Sequence, residues 1–175
     1  MKIDVTRREI VLMGTVAAVA GGSLVAVAAM EDAMASTESE LRALLDSQSA
    51  AMRTKDIDRL MSLYSPDVVY FDTVPPLRYV GAAALRGRFL QWFEGWTGSI
   101  GMEIRDLNIL TRGDLAIAHW LSRASGILKN GQKVGSWVRV TSCCERSNQQ
   151  WLIRHEHVSW PIDPQTGSAA RDLAP

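Results

Sequence analysis

The chain has 175 residues, 47% of them hydrophobic, a size that supports one domain with its own core and argues against two. Lysine plus arginine equal aspartate plus glutamate at 19 each, with no basic stripe or acidic tail, so nothing in the charge pattern points to nucleic acid. The only cysteines, Cys143 and Cys144, are neighbours that a mutual disulfide would strain, and they read as free thiols on opposite sides of a strand.

The first element is a leader. Thr6-Arg7-Arg8-Glu9-Ile10-Val11-Leu12 resembles the twin-arginine export motif, and the stretch from Ile10 to Met30 carries no charge. Ala33-Met34-Ala35 supplies the small-x-small pattern read by a signal peptidase, so residues 1–35 are expected to be removed, leaving a periplasmic or secreted protein that begins near Ser36. The alternative is an uncleaved leader that anchors the protein to the inner membrane.

Ser36 and Thr37, followed by Glu38 and Glu40, suit a helix start, and Leu41, Leu44, Leu45, Gln48 and Met52 recur at helical spacing, predicting a helix from Thr37 to Thr54. Asp56 caps a short second helix carrying Ile57, Leu60, Met61 and Tyr64, which Pro66-Asp67 stops. Val68 to Phe71 is a strand by composition, leaving Asp72 at its mouth before Thr73-Val74-Pro75-Pro76. Gly81 opens a third helix through Phe89, Trp92, Phe93 and Trp96. Four long strands follow, Met102 to Leu110, Leu115 to Leu128, Gln132 to Glu145 and Trp151 to Trp160, with Asn130-Gly131 the clearest turn. Residues 164–175 read as a loose tail. This order predicts an α+β fold with a curved sheet wrapped on three helices.

Trp151-Leu152-Ile153-Arg154-His155-Glu156-His157-Val158-Ser159-Trp160-Pro161 is similar to the closing strand of SnoaL-like domains, and Trp137-Val138-Arg139-Val140-Thr141 to the strand before it. Tyr64-Ser65-Pro66-Asp67-Val68-Val69-Tyr70-Phe71-Asp72 looks like the family's opening. The chain from Glu38 to Asp163 thus resembles the SnoaL-like branch of the ketosteroid isomerase-like, nuclear transport factor-like superfamily, with the domain set at residues 36–163. The resemblance implies a cone-shaped domain with a curved, mixed or antiparallel sheet, a pocket between sheet and helices, and a homodimer.

Asp72 matches the position from which ketosteroid isomerases abstract a proton, and a carboxylate in an apolar mouth suits that work. The first helix lacks their tyrosine, and Gln48 is the nearest polar candidate. The plain alternative is an Asp72 that hydrogen-bonds its own turn. If Trp137, Trp151 and Ile153 mark the concave face, strand alternation brings Arg139, His155 and His157 into it. Arg139 there meets Asp72 or a ligand carboxylate, or else pins two strands; the histidines serve as acid or base, or hydrogen-bond within the sheet. Asp72, His157 and Arg139 are therefore the catalytic candidates, and Tyr64, Phe89, Trp92, His119, Trp137 and His155 the binding candidates. The His-x-His pair lacks a third-ligand motif, so no metal or cofactor is assigned. The expected function is proton-transfer chemistry of the isomerase, cyclase or dehydratase kind on a small apolar or carboxylate-bearing molecule. The alternative is a non-catalytic binding or accessory domain.

Overall fold

The computed structural model describes residues 14–175, and the twin-arginine motif Thr6–Leu12 lies outside them. The chain divides into a unit ending at Thr37 and a compact unit, Glu38–Pro175, that carries the sheet and the cavity. Helix α1 spans Gly14–Thr54, starting well before the expected Thr37 because an alanine-rich stretch without proline continues the helix toward the N-terminus. Among the described residues no helix is long and apolar enough to cross a membrane.

From Leu41 onward α1 buries one stripe, Leu41, Leu44, Leu45, Gln48 and Met52, and that stripe faces the core. Helix α2, Ile57–Met61, is capped by the Asp56 carboxylate, which accepts from the Arg59 N–H at 3.0 Å. Tyr64 is not on that helix: strand β1 runs Tyr64–Phe71, because Tyr64, Val68 and Tyr70 bury their side chains at strand spacing once β1 pairs with the last strand. A two-residue strand β2, Tyr79–Val80, pairs back on β1. Helix α3, Ala82–Glu94, follows Gly81, whose φ of 83° suits only glycine at this helix entry and whose N–H donates to the Val68 carbonyl at 2.7 Å.

The remaining strands are β3 (Trp96–Arg112), β4 (Leu115–Leu128), β5 (Lys133–Ser147) and β6 (Gln150–Ser159). They make a six-stranded, curved and unclosed sheet in the order β2-β1-β6-β5-β4-β3, with β1 and β6 parallel and the other neighbours antiparallel. In β3 an extra residue between Arg105 and Asn108, with Asp106 at φ 53°, is a bulge of the kind that bends a long strand. One sheet face packs on α1 and α3, joining Leu41, Met52, Leu85, Phe89 and Phe93 to Val68, Tyr70, Ala116, Cys144 and Ile153 in one core.

The other face is more open. His119, Thr141, His157 and Phe71 form one registered row across β4, β5, β6 and β1, and Leu115 and Ile117 are exposed. The segment expected to be a loose tail folds back: Ile162 bridges Ala169, and the Ala170 N–H donates to the Pro161 carbonyl at 2.9 Å.

Candidate functional site

Between the helices and the concave sheet face lies a cavity of about 500 Å³. Its walls are mainly apolar: Met52 from α1, Phe89 and Trp92 from α3, Trp96, Trp120, Val138, Val140, Val158 and Trp160 from the sheet side. Trp96, expected on the third helix, instead opens β3 because the helix ends at Glu94 and Gly95 caps it, yet its indole still lines the cavity. A wall of this kind suits a hydrocarbon or planar molecule.

Polar groups enter at two places. The first is Glu156, 2% exposed, on β6. Its Oε2 accepts from Ser142 Oγ at 2.6 Å and from Gln48 Nε2 at 2.9 Å, and its Oε1 accepts from the Tyr64 hydroxyl at 3.1 Å. Gln48 Nε2 also donates to the Tyr64 oxygen at 2.7 Å, so helix α1, β1, β5 and β6 meet in one buried network. Burial raises the pKa of Glu156 above the ordinary glutamate range, and the Ser142, Gln48 and Tyr64 contacts offset only part of that rise. Burial, followed by the nearby Glu156 charge, also holds the Tyr64 and Tyr70 hydroxyls well above their ordinary pKa.

The second place is Asp72, just beyond β1. Its Oδ2 pairs with Arg88 Nε of α3 at 2.6 Å, the two side chains being only 8% and 14% exposed. Its Oδ1 accepts from the Thr73 N–H at 2.6 Å and the Thr73 hydroxyl at 3.1 Å. Tyr70 is paired with Glu156 in the parallel β1–β6 register, and Asp72 lies two residues further on. The two carboxyl-bearing residues are thus one strand over and two residues along, roughly 8 Å apart at their α-carbons.

The sequence-predicted residues separate by face. Asp72, Phe89 and Trp92 line the cavity, and Tyr64 is buried behind it in the Glu156 network. Arg139, His157, His119, Trp137 and His155 do not line it. Arg139 is exposed and donates to the Trp160 carbonyl at 3.1 Å, with no ion pair to Asp72. Trp137 lies under Arg105 at 5.4 Å. His155 Nδ1 lies 2.8 Å from the Val69 carbonyl, and both His155 and His157 pack edge-on to Phe71.

Trp137, Arg139 and His119 turn outward because Val138, Val140 and Trp120 take the inner face of their strands, and for His155 and His157 the physical reason is one residue. Cys144 pairs with Ile153 and Cys143 with His155, so Arg154 is an extra residue that resets the alternation of β6. Trp151 and Ile153 are buried before the bulge, while Glu156 and Val158 take the inner face after it. Reading inward from Val158 and Trp160 rather than from Trp151 and Ile153 selects Glu156 and sends both histidines outward. Arg88 carried a weaker signal, standing four residues before Trp92 on the same helical face. Gln48, the polar candidate on the first helix, does line the cavity. Among the described residues no group of three or more His, Cys, Asp or Glu is placed to hold a metal ion.

The profile of the SnoaL-like domain matches residues 41–163. No curated protein matches the sequence. Among solved structures, a nuclear transport factor 2-like protein of unknown function from Pseudomonas putida KT2440 is 33% identical, with a TM-score of 0.74 over 81% of this chain and 98% of that one. A nuclear transport factor 2-like superfamily protein from Salmonella enterica serovar Typhimurium LT2 shares the fold at 16% identity, with a TM-score of 0.68 over 78% and 99% of the two chains. A ketosteroid isomerase-like protein from Erwinia carotovora atroseptica SCRI1043 shares it at 20% identity, with a TM-score of 0.61 over 69% and 93%. With a matching domain over most of its length and a relative one-third identical, the chain belongs to the SnoaL-like domain family, of nuclear transport factor 2-like fold.

Proposed function

We propose that the domain catalyses proton transfer on a small, largely apolar molecule, in an isomerisation, cyclisation or dehydration. One observation carries the reading: two carboxyl groups in unlike surroundings face the same apolar cavity, Asp72 paired with Arg88 and Glu156 buried with a raised pKa. Such a pair divides the work, one group acting as base and the other as a neutral hydrogen-bond donor or acid. Asp72 takes a proton from a carbon beside a carbonyl. Glu156, protonated, gives its O–H to the oxygen on which charge develops, with Tyr64 and Gln48 holding the carboxyl in place. Arg88, rather than Arg139, is the cation at hand to stabilise the anion.

One structural detail favours the alternative of a binding domain. Both Asp72 oxygens are engaged, by Arg88 and by Thr73, and a substrate must displace one of these contacts before Asp72 can act. The two readings separate when the protein is purified from its host, its retained compound is released and identified, and conversion by wild type, Asp72→Asn and Glu156→Gln is compared. The catalytic reading expects wild type to convert the compound and Asp72→Asn only to retain it. An empty protein, or equal behaviour of all three, supports the binding reading.

Export and self-association belong to the same proposal. Terminal sequencing of the protein from its host is expected to begin near Ser36, and a full-length N-terminus would instead favour the anchor. The exposed Leu115, Ile117 and Phe71 side chains suit burial against a second copy, so Ile117→Glu is expected to turn a homodimer into a monomer in sedimentation.

A further inference from the structure

Resting on the proposed pocket chemistry, we infer that the ligand is an amphipathic carboxylate, its acid group held at Trp160 and Arg171 and its apolar body reaching inward toward Glu156. Two donors without acceptors meet at that end of the cavity. Trp160 lines the cavity, and its Nε1, fully buried, has no hydrogen-bond partner among the described residues. A buried donor left in that state carries a cost that a ligand acceptor relieves.

Arg171 supplies the charge. Its guanidinium carbon sits 4.2 Å from the centre of the Trp160 ring, and the side chain also lines the cavity. Among the described residues it has no carboxylate partner, whereas the other cavity arginine, Arg88, is committed to Asp72. The C-terminal segment holds Arg171 in place: the Asp163 N–H donates to the Ser168 carbonyl at 2.9 Å and the Ala170 N–H to the Pro161 carbonyl at 2.9 Å. From the outer face, Arg139 braces the same spot by donating to the Trp160 carbonyl. Arginine with an indole N–H beside it offers a carboxylate directed donors rather than a bare charge.

The strand also sets a length. Glu156, Val158 and Trp160 line the cavity in alternation along β6 and the residue just past its end, so the α-carbons of Glu156 and Trp160 lie four residues apart, roughly 13 Å in extended chain. A compact acid such as acetate is too short to engage both, and the walls between them are apolar.

The test titrates the mature chain by calorimetry with decanoate, whose extended length is of that order, and with 1-decanol, its uncharged counterpart. Wild type is expected to bind decanoate about tenfold or more tightly than decanol; Arg171→Gln loses about that factor for decanoate alone, and Arg171→Lys recovers part of it. Trp160→Phe is expected to weaken decanoate more than decanol. Failure of wild type to bind decanoate, or an unchanged preference in Arg171→Gln with its circular dichroism intact, overturns the inference. A protein that converts nothing yet prefers decanoate through Arg171 loses only the catalytic reading. One that converts its compound with no Arg171 dependence loses only the acid subsite.

Discussion

Replacing Gln48 with methionine probes the buried network at its most connected donor while changing side-chain volume little. The amide serves Tyr64 at 2.7 Å and Glu156 at 2.9 Å, so two buried contacts go at once. A neutral hydrogen bond contributes about 1 kcal/mol and one to a charged carboxylate about 1.5–3, giving a destabilisation of about 2.5–4 kcal/mol where Glu156 is ionised. The sign of the pH dependence follows from the raised pKa of Glu156. The folded protein holds this proton to higher pH than the unfolded chain, so the associated stability is fully present below 4.5, the ordinary value, and is lost as pH rises through the folded one. Gln48 lowers the Glu156 pKa, so removing it moves that midpoint higher and deepens the loss on the alkaline side. Urea unfolding should therefore show Gln48→Met costing more above the Glu156 midpoint than at pH 4, where about 1–2 kcal/mol remains for the neutral contacts. An equal cost on both sides of that midpoint, or a cost below about 1 kcal/mol above it, would refute the reasoning.

Other expectations follow from the same geometry. Arg88→Met strands the Asp72 carboxylate in a nearly enclosed site and should destabilise by about 3 kcal/mol, much of which Asp72→Asn in the same chain restores; simple additivity in urea unfolding would contradict the pairing. Deleting Arg154 removes the bulge yet leaves Ile153 opposite Cys144 and His155 opposite Cys143, so Glu156 stays on the inner face and the variant is expected to keep a cooperative thermal transition, losing only the exposed Arg154 ion pairs; loss of that transition would contradict the register. The Cys144 thiol is buried and its pKa is pushed up to about 12, so alkylation at pH 8 followed by mass spectrometry should leave it unmodified until the protein unfolds.

How much of this was readable beforehand depends on the range of the forces involved. The α1 stripe, the strands from Leu115 onward and the Asn130-Gly131 turn are written in local periodicity and turn chemistry, and they appear close to their expected bounds. Tyr64 misled because Ile57, Leu60, Met61 and Tyr64 continue a helical spacing, while the pairing that makes Tyr64 a strand residue comes from β6, at the far end of the chain. Asp72 was legible as a residue at a strand mouth; its Arg88 partner, brought by α3, was signalled only by its place on the Trp92 face of that helix. Glu156 was hidden by a single inserted residue, since alternation counted from Trp151 gives the wrong face beyond Arg154. The Trp160–Arg171 contact depends on the C-terminal segment turning back, which its polar composition did not announce.

The central claim is that Glu156 is a buried acid that keeps its proton where ordinary glutamates have lost theirs. A carbon-13 NMR titration of the side-chain carboxyls, with Glu156→Gln identifying the resonance, tests it without any ligand. The account expects the Glu156 midpoint to lie above 4.5, and a midpoint at or below 4.5 would contradict it.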